Sequence, residues 1–420
     1  MVATTPSIPG SPAAYGGQPP EPAPAGQPMN RLLDRRDPLV LDRLLRDLVE
    51  PARAFRFEVA PNPCVGAALL DPEGVELARG FHRRWGGPHA EIEALRVAEQ
   101  AGIDRSRWHT LAVTLEPCSS HGKTPPCTEA ILAAGIQRVV VGALDPDPRH
   151  RGRGLELLQK AGVEVQYEPG AAPLERIAPH FLRWTDYERV RRPRPWLIAK
   201  WAQTFSGHLS PPAEVGGGRW ITSPASLDEV QRLRACVDAI VTGVGTVKLD
   251  DPRLTLRGEA VALLPAGRPA PLRIVLDSEL STPPDARLLR PGEPGELGGT
   301  VYILCRAGAS AVRHRELTAV GARIHGLHPG PDGRVSLREA MEWMWRFNVR
   351  RALLEAGPQL TNASISSGLV DQVRLYTGAV RGGRGESLAP LLAAYEWQER
   401  LEREVGPDSV LEAFPGPRRG

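Results

Sequence analysis

Runs of apolar residues are short throughout this 420-residue chain, and none approaches the roughly 18 that a membrane-spanning helix requires. No membrane partner is expected. The N-terminus lacks the basic and apolar regions of a secretory signal, and five cysteines are an odd, sparse set for disulfide pairing. A reducing, cytoplasmic location fits best. Dense Lys/Arg blocks interleaved with aromatics are missing too, and the net charge is only +3, so a nucleic-acid partner is not expected. Lysine is itself scarce: of 52 basic residues only Lys123, Lys160, Lys200 and Lys248 are lysine. A lysine kept in so arginine-rich a chain marks a place where a compact ammonium can suit a phosphate better than a planar fork.

What is present is ordinary globular protein, 41% hydrophobic and 24% charged, in a chain too long for one typical core. Two domains are expected. Residues 1–36, rich in Pro, Gly, Ala and Ser, bury too little to offset ordering entropy and read as a disordered tail. Asp37 and Pro38 then form an N-cap and an N1 proline ahead of a helix carrying Leu41, Leu44, Leu45 and Leu48 on one stripe. From there to about residue 188, strands at "CVGAALL", "TLAVTLE" and "RVVVGAL" alternate with helices after His89 and Cys127, the pattern of an α/β sheet. The Pro/Arg-rich stretch 189–195 reads as a linker. A second α/β series follows to about 405, with strands at "PWLIAKWA", "DAIVTGVGTV", "LRIVLDS", "TVYILC", "RALLEAG" and "DQVRLY". Residues 292–299 read as a flexible loop and 406–420 as a loosely held tail.

In "GGPHAEIEALRVA", 86–98, Ile92, Leu95 and Ala98 recur at helical spacing as a core stripe, which leaves His89 and Glu91 to be explained. Downstream, "EPCSSHGKTPPC" puts Cys118 at a strand end and Cys127 at a helix start. One imidazole and two thiolates make a three-ligand zinc set with a fourth position open to water, whose pKa the metal lowers. Glu91, two residues from a ligand, is then the proton shuttle between that water, a ring nitrogen and a departing amine: hydrolytic deamination of an amino-substituted ring. The pattern H-x-E then P-C is matched in order, although eight residues rather than two separate the cysteines. The bland alternative is a helix-capping His89 with buried cysteines, or a four-ligand structural zinc module. His121, Lys123 and Thr124 in the insert offer donors to a phosphate or sugar hydroxyl.

Taken together, Pro61–Gly66, Gly80–Glu91, Thr114–Cys127 and Asp145–Pro148 resemble the motifs PNP-x-VG, G-x-H-x-x-x-G-x-x-HAE, TLEPC…GKTPPC and DP-x-P of the bifunctional riboflavin-biosynthesis deaminase–reductases, the RibD family. The resemblance spans about residues 37–400. It implies a cytidine-deaminase-like three-layer α/β/α domain followed by a dihydrofolate-reductase-like α/β domain. It also implies that Asn62, His82, Lys123, Thr124 and Asp145 contact the pyrimidine or its ribose phosphate, although Asn62 between prolines also suits a plain turn. Ser120 stands where the family has histidine, and Asp147 where it has asparagine, adding a negative charge that a phosphate would oppose.

The second domain has no G-x-G-x-x-G after its first strand, and the glycines of "TGVGTV" and "LEAGPQLT" read by themselves as turns. The resemblance adds Lys200, Ala202, Trp220, Thr246, Asp250 and Gly357 as an NADPH site, and Arg234, Leu254, Arg257 and Glu355 as the reductase's substrate contacts. Two arginines can clamp a phosphate while a hydride reduces the ribosyl group. Asp250 equally suits a turn before Pro252, and Trp220 a core aromatic. Ser206, Gly218, Leu227 and Ala356 depart from the family, which leaves open a second domain kept as a dimerisation scaffold; the resemblance implies a homo-oligomer through this domain. Cys64, Cys236 and Cys305 read as small core residues. His109, His150, His180, His208, His314, His325 and His328 fit no ligand spacing.

Overall fold

In the computed structural model, residues 38–120, 125–190, 193–213, 221–264, 267–385 and 387–418 are described. The expected tail over 1–36, the cap Asp37 and the candidates Lys123, Thr124, Gly218 and Trp220 lie outside the described residues.

The first domain runs α1 (Pro38–Arg53), α2 (Arg56–Val59), β1 (Gly66–Leu70), β2 (Glu76–Phe81), α3 (Ala90–Gln100), β3 (Thr110–Val113), α4 (Cys127–Ala133), β4 (Arg138–Val141), α5 (Arg153–Lys160), β5 (Glu164–Tyr167), α6 (Leu174–Ile177) and α7 (Pro179–Val190). Its sheet has the order β2-β1-β3-β4-β5, with β1 antiparallel to both neighbours and the last three strands parallel. Strand alternation assigns the two faces. Leu111 and Val113 pack with Ile131 of α4 and Leu158 of α5, whereas Ala112 and Val140 meet Leu41 and Leu45 of α1. Helices therefore cover both faces, as expected. A Cβ at Gly80 would stand 2.2 Å from the Ala90 carbonyl oxygen and the Ala94 nitrogen, so glycine on β2 lets the first turn of α3, and His89 before it, lie close over the sheet.

The second domain runs β6 (Trp196–Gln203), α8 (Pro224–Ala235), β7 (Ala239–Gly243), α9 (Val244–Asp250), β8 (Leu272–Leu276), β9 (Val301–Arg306), α10 (Ala311–Ala319), β10 (Arg323–Leu327), α11 (Leu337–Arg346), β11 (Arg351–Leu354), α12 (Pro358–Ser366), β12 (Gln372–Thr377), α13 (Ala389–Ala393), β13 (Tyr395–Val405) and β14 (Asp408–Arg418). Its nine strands order as β10-β9-β8-β7-β11-β6-β12-β14-β13, parallel except for the C-terminal hairpin. Strand β7 ends at Gly243, and the rest of "TGVGTV" is already helix.

Three expectations are corrected. The segment after 405 is not a loose tail: β14 pairs on both sides, and Val410, Ala413 and Phe414 are buried. Its Pro and Gly residues hid a strand that tertiary burial holds. The segment 292–299 is pinned, since Leu297 bridges Leu256 and Glu296 pairs with Arg257 at 3.1 Å. The linker is also shorter, because α7 reaches Val190 and buried Arg194 donates to Asp371 at 2.6 Å.

Alternation in the second sheet also fuses the domains. Ala199, Val241 and Leu354 face Met341 and Met344 of α11, while Ile198, Ile240 and Leu353 on the other face share a core with Phe57 and Trp184 of the first domain. Phe57 packs on Phe414 with ring centroids 4.6 Å apart. Arg351, fully buried, donates to the Glu58 and Phe57 carbonyls at 2.9 and 3.0 Å.

Candidate functional site

Where α3 and α4 begin, the fold brings three donor atoms together. His89 immediately precedes α3, Cys127 opens α4, and Cys118 follows β3. His89 Nδ1 lies 3.6 Å from Cys118 Sγ and 3.3 Å from Cys127 Sγ, and all three atoms fall within 4.8 Å of one another. Among the described residues no other group of His, Cys, Asp and Glu is gathered in this way. The Cys127 N–H donates to Cys118 Sγ at 3.2 Å. Hydrogen bonds from the Cys127 side chain and His89 pull the Cys118 thiol down to about 4 against its burial. A ready thiolate beside an imidazole and a second sulfur is the donor chemistry zinc prefers, so these residues fit the metal. Glu91 is buried beside them, 3% exposed, and burial pushes its carboxyl up, opposed by His89. A raised carboxyl can hold a proton near neutrality and release it.

The triad opens into a cavity of about 410 Å³ whose walls include Asn62, His82, Glu91, Ser120 and Asp145. His82 Nδ1–H donates to the Pro88 carbonyl at 2.8 Å, which leaves Nε2 to accept from Asn62 Nδ2 at 3.3 Å. Burial holds that imidazole neutral, its pKa down to about 4. Glu116, quoted in the sequence motif without a role, organises the neighbouring loop. Its carboxylate accepts from the backbone N–H of Asp145, Gly152 and Gly154 at 3.2, 2.8 and 2.9 Å. The charge of Asp147 is met by Arg149, whose Nε and Nη2 donate to it at 3.0 and 2.5 Å. His180, which fitted no spacing, donates from Nε2 to the Asn62 carbonyl at 2.8 Å and so fixes that pocket wall. Cys64, Cys236 and Cys305 are buried, as read, and burial pushes the Cys64 thiol up to about 12.

In the second domain, Lys200 and Ala202 on β6, Thr246 after β7, and Glu355 and Gly357 after β11 collect at the carboxyl ends of adjacent parallel strands. Open α/β sheets bind ligands at that edge. Gly357 N–H donates to Thr246 Oγ1 at 2.9 Å, and Gly357 precedes α12 with no side-chain cap. An uncapped helix start beside a threonine fits a dinucleotide phosphate. Arg234 holds Glu355 through Nε at 2.6 Å and Nη2 at 3.1 Å, and Lys200 Nζ stands 3.7 Å away. Although burial pushes the Glu355 carboxyl up, Arg234 and Lys200 hold it down to about 2. Arg257 stands apart, paired with Glu296, and Asp250 is exposed at the end of α9. Leu254 needs correcting as a substrate-facing side chain: it is 3% exposed in the core between the domains, with a backbone φ of 54°. Ser206, in place of the family's aspartate, accepts the Gly382 N–H at 2.9 Å.

Sequence reasoning missed Trp345 and Arg350, second-domain residues that line the first domain's cavity. No motif or spacing could reveal a wall supplied by a fold contact across some 250 residues of chain.

Comparison with known proteins agrees with this geometry. Residues 41–143 match the family described as "Cytidine and deoxycytidylate deaminase zinc-binding region", and 195–408 match "RibD C-terminal domain". The chain is 35% identical to the riboflavin biosynthesis protein RibD of Escherichia coli over 86% of this chain and 95% of that one. It is 30% identical to RibD of Bacillus amyloliquefaciens over 87% and 94% of the two chains. The Acinetobacter baumannii RibD structure superposes with a TM-score of 0.59 at 27% identity, covering 91% of this chain and all of that one. With a zinc-type deaminase domain fused to a reductase domain, and with most of both chains matched, the chain belongs to the RibD family of bifunctional riboflavin-biosynthesis enzymes.

Proposed function

We propose that the first domain hydrolytically deaminates 2,5-diamino-6-(5-phosphoribosylamino)pyrimidin-4(3H)-one and that the second reduces the ribosyl group of the product to ribityl with NADPH. The observation that carries the reading is the convergence of His89, Cys118 and Cys127 beside buried Glu91. Zinc, when bound by those three residues, supplies Lewis acidity toward water at neutral pH. Glu91 takes one proton from the attacking water and gives it to the ring nitrogen, then takes the remaining hydroxyl proton and gives it to the departing amine, which leaves as ammonia. Asn62, His82 and Asp145 hold the pyrimidine. His82 serves there as a neutral imidazole, since its Nδ1 proton is committed to the Pro88 carbonyl.

In the second domain NADPH supplies the hydride, with Thr246 and Gly357 as its contacts and Lys200, Ala202, Trp220 and Asp250 added to them by the family resemblance. Glu355 keeps Arg234 and Lys200 oriented toward the ribose end, and Arg257 meets its phosphate. The reading extends to a cytoplasmic homo-oligomer joined through the reductase domain. Support for the compartment comes from five unpaired cysteines. No helix among the described residues is long and apolar enough to cross a membrane.

The test follows one sample of purified protein given the diamino substrate and NADPH, with ammonia release and loss of nicotinamide absorbance recorded together. Both signals are expected. Ammonia without NADPH consumption would reduce the second domain to a scaffold, and neither signal would end the assignment.

A further inference from the structure

The wall that the second domain gives to the deaminase cavity has a chemical character of its own. Glu91, Glu116 and Asp145 are all cavity-lining carboxylates, and among the described lining residues Arg350 alone carries a permanent positive charge. Among those described residues, Arg350 is where a phosphate on an entering ligand meets a permanent positive charge.

Arg350 is held there firmly. Its guanidinium lies 3.7 Å over the Trp345 ring and donates from Nη1 to the Trp345 carbonyl at 2.9 Å. Its backbone N–H donates to Asp238 Oδ2 at 2.8 Å, and the other oxygen of Asp238 receives Arg268, which in turn lies 4.7 Å over Trp85, another residue of the cavity wall. The next residue, Arg351, anchors the start of β11 to the α2 carbonyls of the first domain. One carboxylate and one buried arginine thus fix two second-domain cations against the loop that leads into His89.

We propose that Arg350, seated on Trp345, receives the phosphate end of the deaminase substrate, so that the reductase domain completes the deaminase pocket. The inference rests on the deaminase reading above. A planar guanidinium already oriented by stacking loses little freedom when it takes a phosphate in bidentate fashion.

The test compares R350Q and R350K with the parent enzyme on the phosphorylated substrate and on the same compound lacking its phosphate, with zinc content and NADPH oxidation of deaminated substrate as controls for folding. R350Q is expected to raise KM for the phosphorylated compound about ten- to hundredfold, the loss typical of one charge-assisted hydrogen bond, with kcat nearly unchanged. The dephosphorylated compound should be handled equally by R350Q and parent, and R350K should recover part of the loss. An equal loss on both compounds, or no loss on either, overturns the proposal. A parent enzyme that releases no ammonia would instead overturn the deaminase reading itself.

Discussion

At the first site His89, Cys118 and Cys127 bring three donor atoms within 4.8 Å of one another, and a cation from outside the chain would join them. At the second, Glu355 already has its counter-charges, with Arg234 at 2.6 Å and Lys200 at 3.7 Å. A set of one imidazole and two sulfurs that converges on one point names its ligand class by itself. A set whose carboxylate is already paired internally reads equally as a structural ion network, and its place at the carboxyl edge of three parallel strands says otherwise. The same kinds of residue are therefore strong evidence in one domain and weak evidence in the other.

Glu91→Gln makes the sharpest test of that contrast. The amide keeps the shape but cannot shuttle a proton, so ammonia release should fall on the order of a thousandfold, within the range of general acid–base catalysis. Zinc content by metal analysis and NADPH oxidation of deaminated substrate should both stay at the parent level. A variant that keeps its rate removes Glu91 from the chemistry, and one that loses its zinc makes Glu91 part of the metal site.

In the second domain the corresponding change is Glu355→Gln, which leaves Arg234 and Lys200 facing each other with no anion between them. Breaking a buried pair in this way costs about 3–5 kcal/mol, read as a lower denaturant midpoint together with lost NADPH oxidation. Unaltered stability would mean that solvent reaches the cluster and that the network carries less than its burial suggests.

Acidification probes the seam between the domains. Burial lowers His180 from 6.5 to about 4, so the folded state takes up its proton less readily than the unfolded chain. The associated stability is fully present above pH 6.5 and is lost as pH falls toward 4, on the order of 3 kcal/mol for such a shift. Buried His82 acts in the same direction. Denaturant midpoints measured between pH 7.5 and pH 4 should fall steeply in the parent and less steeply in H180Q; equal slopes would relieve His180 of this role.

These tests fall on residues that the sequence exposed to different degrees. Local chemistry was legible: Leu41, Leu45 and Leu48 lie on the buried stripe of α1, and His89, Glu91, Cys118 and Cys127 gather as their spacing required. What stayed hidden depends on contacts distant in the chain. β14 looked like a tail because Pro415, Gly416 and Pro417 discourage a strand, yet pairing on both sides and burial of Phe414 against Phe57 hold it. His180 and Arg350 fit no motif, since His180 bonds to Asn62 more than a hundred positions away and Arg350 lines a cavity of the other domain. Leu254 shows the opposite error. Its place in a family motif implied a substrate contact, and the fold turned its side chain into the core.

The smallest expected effect is that of Asp147→Asn, which restores the residue usual in the family. The carboxylate of Asp147 accepts the Arg149 N–H at 2.9 Å and pairs with the Arg149 guanidinium, which holds it down to about 2. An asparagine oxygen can accept the same backbone N–H and keep the turn. Only the ion pair is then lost, and because the Arg149 side chain is 72% exposed the pair is of the kind that contributes about 0–1 kcal/mol. Deaminase KM in D147N should therefore stay within about twofold of the parent, the change that 0.4 kcal/mol would bring. A tenfold drop in KM would mean that Arg149 does not shield the charge and that Asp147 repels the substrate phosphate. The first site would then carry an uncompensated anion of its own, and internal pairing would no longer separate the two sites.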